Sequence, residues 1–135
     1  MNIEDAKEWF MIADIDYDSA KLLNDAVRKH YEIICYHCTQ AVEKYLKGFL
    51  VYLNIVPKKT HDLTFLNNLC IEIDNIFDNI QPLCEFLNRF ANDIRYPHRY
   101  QVTENEVNFS IKAVEKIRNI KPILDIRNII ESKNE

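Results

Sequence analysis

An all-α fold, an up-and-down bundle of four to five helices in one domain, is what this sequence predicts, and three observations predict it. Apolar residues recur at three- and four-residue steps along most of the chain, which is the period of one helix face. A single glycine, Gly48, and four prolines leave no material for tight hairpins, Gly-rich phosphate loops or dinucleotide fingerprints. No long alternating stretch and no Asn-Gly turn speaks for strands. With 135 residues, 47% of them apolar, the chain supports a core of its own without disulfide or metal staples, and no metal or cofactor is expected.

From Asp5 to Lys29, Ala6, Trp9, Phe10, Ala13, Tyr17, Ala20, Leu23 and Val27 hold a helical period, so the first helix is expected there. Asp14, Asp16 and Asp18 are assigned to its outer face as solvated charge. They do not start a calcium loop, because the sixth and twelfth positions hold Ser19 and Asp25 instead of glycine and glutamate. The stretch from Tyr31 to Leu53 is the expected central helix. Ile34, Cys35, Cys38, Ala41, Val42, Tyr45, Leu46, Phe49, Leu50 and Leu53 form its buried face. A second stripe, His37, Gln40, Lys44 and Lys47, runs beside the first and is either solvated surface or part of an anion site. Cys35 and Cys38 form a CxxC, but no second close pair accompanies it, so buried apolar thiols are the favoured assignment over zinc or redox chemistry. Gly48, inside this helix, is expected to allow a close helix approach.

After Pro57, Thr60 is positioned to cap a third helix starting around His61 or Asp62, with Leu63, Leu66, Leu69 and Cys70 inward. Residues 71–80 are ambiguous, with room for a short helical turn. Pro82 suits a first helical turn, and Leu83, Phe86, Leu87, Phe90 and Ile94 continue the period until Pro97 ends it. Thr103 and Glu106 make a capping box that announces the last long helix, which Pro122 is expected to kink or interrupt before a frayed tail at 132–135.

The net charge of −4 is unevenly divided. Lys and Arg against Asp and Glu give +2 over residues 31–61 (four against two) and +2 over 89–101 (three against one). Residues 1–30 give −3 (four against seven), residues 62–88 give −5 (none against five), and 102–135 balance at six each. An anion site must therefore draw on the two basic segments. The second, RYPHRYQV, packs Arg95, Tyr96, His98, Arg99 and Tyr100 into six positions: a phosphate fork, a proton carrier and stacking rings, or else a polar surface turn. The longest apolar run, Phe49–Leu53, is too short for a membrane span, and the acidic start MNIEDAKEWF does not resemble a secretion signal, so a cytoplasmic protein is expected.

Three blocks in order, HCTQAVEKYLKGFL at 37–50, KTHDL at 59–63 and RYP at 95–97, give the chain a resemblance to the HEPN (higher eukaryotes and prokaryotes nucleotide-binding) domain over most of its length. The resemblance implies a helical bundle similar to the substrate-binding domain of kanamycin nucleotidyltransferase, a homodimer, and a minimal nucleotidyltransferase partner in what is often a toxin–antitoxin pair. Ribonuclease members use R-x4-6-H at the end of the penultimate helix, pooled across a dimer. Here only two residues separate Arg95 from His98. A related subgroup carries R-x4-H-x-Y; His98, Arg99 and Tyr100 match its tail, but Asp93 stands where its arginine belongs. The preferred expectation is a non-catalytic subunit that binds a nucleotide or nucleotide-bearing substrate through Lys44, Lys47, His61, Arg95 and Arg99, with Tyr96 or Tyr100 stacking on a base. The alternative is a metal-independent RNase toxin using Arg95 and His98 as catalytic residues, and a third is a structural adaptor.

Overall fold

The computed structural model describes residues 1–91 and 101–133. Among them are six α-helices and no strand: α1 (Ile3–Asn24), α2 (Tyr31–Tyr52), α3 (Leu63–Ile73), α4 (Gln81–Leu87), α5 (Glu104–Arg118) and α6 (Lys121–Lys133), with 3-10 turns at Asn75–Ile80 and Asn88–Phe90. The all-α bundle is the one expected. The helix count is higher because the long final segment splits at Asn119 and Ile120, with Pro122 at the second position of α6, where its missing N–H breaks no ladder bond. The ambiguous 71–80 stretch resolves into the end of α3 and a 3-10 turn opened by the Asp74 side chain, which accepts from the Ile76 N–H.

α2 is the hub. It packs on α1, α3 and α5, and every apolar residue predicted for its inner face is buried except Leu53, which is half-buried. α1 runs antiparallel to it: Asn2 N donates to Tyr52 O at one end, and Asp16 meets His37 at the other. Gly48 makes the approach possible. A Cβ built there lies 2.7 and 2.8 Å from the Phe10 ring and 3.1 Å from Trp9 Cβ, so only hydrogen fits.

Local chemistry explains the helix ends. α1 stops at Asn24, five residues before the expected limit, and Val27 is fully exposed and not part of the core. Asp62, not Thr60, caps α3: its carboxylate accepts from Thr64 N and Phe65 N, while Thr60 Oγ1 accepts from Asp62 N one step earlier. α2 ends in a Schellman pair, Ile55 N to Leu50 O and Asn54 N to Val51 O, both 2.9 Å, with Asn54 at φ 63°. The expected Thr103–Glu106 capping box is present on α5.

Candidate functional site

The polar stripe of α2 is not solvated surface, because α1 supplies a buried carboxylate opposite it. Asp16 lies three residues after Ala13 and four before Ala20, on the inward side of α1, and is buried, not on the outer face as the sequence suggested. Its two oxygens accept from His37 Nδ1 at 2.9 Å and Lys44 Nζ at 2.5 Å. Glu43, next to Lys44 on α2, holds a second pair of partners: Lys47 Nζ at 2.9 Å and His61 Nδ1 at 2.8 Å. Glu43 and Lys47 side chains are 5% and 8% exposed, whereas His61 is 60% exposed. The Lys47 ammonium also lies 5.7 Å from the Trp9 ring centre. Both predicted lysines are therefore neutralised locally, and His61 is the outward member of its cluster.

A separate network ties α1, α2 and α5 together. The buried Tyr45 hydroxyl donates to Asp14, Arg118 donates to Tyr45 Oη at 2.9 Å and to Asp14 at 3.1 Å, and the Tyr17 hydroxyl donates to Glu115 at 2.6 Å. Burial raises both phenols, Tyr17 to about 12, and their carboxylate acceptors push the same way. Burial works against the Arg118 charge, yet Tyr45 and Asp14 beside it hold its pKa above the ordinary value. These groups stay protonated near neutral pH and act as structural ties.

His61 precedes the cap of α3, and that cap is bonded to the start of the second basic segment. Asp62 and Asn88 are stitched together: Asn88 Nδ2 donates to Asp62 Oδ1 at 2.9 Å, and Leu63 N donates to Asn88 Oδ1 at 2.8 Å. Ala91, three residues on from Asn88, is the last described residue before position 92. The predicted residues Arg95, Tyr96, His98, Arg99 and Tyr100, together with Asp93 and Ile94, lie outside the described residues. Arg89, at the near edge of that segment, is turned onto Glu106 at 2.7 Å and over the Phe86 and Phe90 rings.

Other chemistry finds little support. All four cysteines are free and buried; burial pushes Cys35 to about 11 and Cys84 to about 12, and raises Cys38 and Cys70 as well, so none is a ready thiolate. The CxxC faces the core, as expected for apolar thiols. Among the described residues no helix is long and apolar enough to cross a membrane. Sequence reasoning missed Asp16 and Glu43. Both were readable: Asp16 from its register with the inward alanines, Glu43 from its i,i+4 step to Lys47 within the apolar face.

The HEPN domain profile matches residues 6–124. Among solved structures, the crystal structure of an archaeal HEPN homologue superposes with a TM-score of 0.68 at 23% identity, covering 93% of this chain and 97% of that one. That likeness is one of fold. No functionally curated protein matches the chain.

Proposed function

The chain belongs to the HEPN domain family, and we propose that this protein is a nucleotide- or nucleotide-substrate-binding subunit that forms a homodimer and partners a minimal nucleotidyltransferase, as one half of a toxin–antitoxin pair. The observation that supports the binding half is the stitch between Asp62 and Asn88, which joins the start of α3, next to the exposed His61, to the 3-10 turn at Asn88–Phe90. In this reading, His61 Nδ1 stays on Glu43 and the other ring nitrogen meets a phosphate oxygen. Arg95 and Arg99 supply planar forks, and Tyr96 or Tyr100 stacks on the base. Lys44 and Lys47, already held by Asp16 and Glu43, shape the field and do not grip the ligand directly. The protein's acidic balance disfavours indiscriminate nucleic-acid binding, so a small nucleotide-bearing ligand fits better than a long strand.

Calorimetric titration with ATP and with GTP tests the binding half: saturable binding of one of them is expected, weakened about tenfold or more by Arg95→Ala. Unchanged affinity in that variant, or no binding of either, refutes it. Co-purification from the native host tests the partner half, where a nucleotidyltransferase in the eluate is expected and its absence counts against the pairing.

A further inference from the structure

The outward face of α1 is unlike the rest of the surface. Met11, Ile12, Ile15 and Leu22 are 52%, 45%, 57% and 74% exposed, four of the large apolar side chains that the fold leaves in solvent. At ~100° per residue, Met11, Ile15 and Leu22 fall within about 40° of one another and Ile12 flanks them, so they make one strip and not scattered exposure. Contiguous aliphatic surface of this kind marks an interaction site. The strip also continues into relief: Glu8 and Trp9 line both a cleft of about 390 Å³ walled by Val51, Ile55 and Val56 and a smaller one of about 230 Å³ that includes Ile12.

Charge identifies the occupant. Glu4, Glu8 and Asp18 stand exposed on the same face, and Asp5 joins Glu8 at the larger cleft. Against these three carboxylates the strip has one cation on its own line, Lys7, half-buried at a cleft shared with Met11, Asp14 and Glu131; Lys21 is laid over the Tyr17 ring at 5.2 Å, away from the strip. A second copy packed antiparallel about a two-fold axis would set this acidic fringe against itself, which disfavours self-pairing here. A helix with one apolar face bordered by Lys and Arg meets both features at once: its aliphatic residues cover Met11, Ile15 and Leu22 while its cations pair with Glu8 and Asp18. We propose that the outward face of α1, with the Trp9 cleft at its end, is a docking strip for a basic amphipathic helix supplied by a partner protein. This goes beyond the nucleotide site and does not rest on it, since none of the residues proposed to touch the nucleotide lines the strip or the cleft.

Trp9 is the sole tryptophan, so its fluorescence reports occupancy of the cleft in the full chain. The probe is a designed peptide of about 18 residues, five helical turns, with leucines on one face and Lys/Arg on both borders. A scrambled peptide of the same composition and an acid-bordered one serve as controls. Saturable binding of the basic amphipathic peptide alone is expected, weakened about tenfold by Glu8→Lys with Asp18→Lys and similarly by Ile15→Ser, with circular dichroism unchanged. Equal binding of the scrambled or acid-bordered peptide, no binding at all, or insensitivity to these substitutions overturns the proposal. So does sedimentation showing a wild-type dimer that Ile15→Ser dissociates, which assigns the strip to a second copy. ATP affinity is measured on the same variants and stays at the wild-type value, so failure here is separable from failure of the nucleotide reading.

Discussion

Replacing Gly48 by alanine pits two effects of opposite sign against each other. Alanine favours an α-helix interior by about 1 kcal/mol over glycine, so on propensity alone the substitution stabilises α2. Against this, the new methyl sits 2.7 and 2.8 Å from two carbons of the Phe10 ring and 3.1 Å from Trp9 Cβ. Phe10 cannot swing away cheaply: it is 2% exposed and packs edge-on against Tyr45 with ring centres 5.6 Å apart. Overpacking of this kind costs about 1–3 kcal/mol, and backbone separation of α1 from α2 puts it toward the upper end. The net expectation is a loss of about 1–2 kcal/mol, or roughly 3–6 °C in Tm for a chain of this size. Urea unfolding at an unchanged m-value measures it. Shortening the ring in the same background, Phe10→Leu with Gly48→Ala, is expected to cost less than the sum of the single changes. If Gly48→Ala is as stable as wild type, Gly48 does not set the α1–α2 spacing and the packing account fails.

Further outcomes follow from the same contacts. Lys47→Met removes a partner from the buried Glu43 carboxylate and is expected to destabilise the fold by about 3 kcal/mol, with Glu43→Leu added in the same chain recovering part of the loss, as read by denaturant titration. Asn54→Ala is expected to cost about 1 kcal/mol and Asn54→Gly nothing, since at φ 63° glycine has no Cβ to clash and asparagine's short polar side chain tolerates the left-handed region, whereas alanine has neither advantage. Hydrogen bonds from Asn88 and Thr64 hold the Asp62 carboxyl below its ordinary 3.8, and the Thr103 backbone bond holds Glu106 below 4.5. Because both are depressed in the folded state, their stabilisation is present above those ordinary values and is lost as pH falls through the folded ones; Asp62→Asn, which keeps the cap acceptor, flattens the acid limb of a stability–pH curve. RNA incubated with the protein in EDTA is expected to stay intact, and cleavage abolished by His98→Ala would replace the binding account with a ribonuclease.

The helices were legible because their apolar periods are long: the whole inner face of α2, the capping box at Thr103 and the use of Gly48 all follow from spacing and a single residue type. The end of α1 was not, because Leu23 and Val27 keep the helical period past the residue where the chain turns away from the core. At the candidate site the lysines were visible, and of their partners Glu43 was within local reach of Lys47 while the partner of Lys44 was not. Lys44 looks like free charge until Asp16, 28 residues away, is folded against it, and no local pattern encodes that pairing. The stitch between Asp62 and Asn88 is a non-local bond of the same kind, spanning 26 residues, and it ties the end of the first basic segment to the start of the second.

If His61 and Arg95 converge on one ligand, a double-mutant cycle on ATP affinity reads their coupling. His61→Ala, Arg95→Ala and the double variant are titrated against wild type. Each single change is expected to weaken binding about tenfold, and the double to lose clearly less than the product, because two groups gripping one phosphate do not act independently. Strictly additive losses, or a His61→Ala variant that binds ATP as wild type does, would place the two residues in separate surroundings and contradict that convergence.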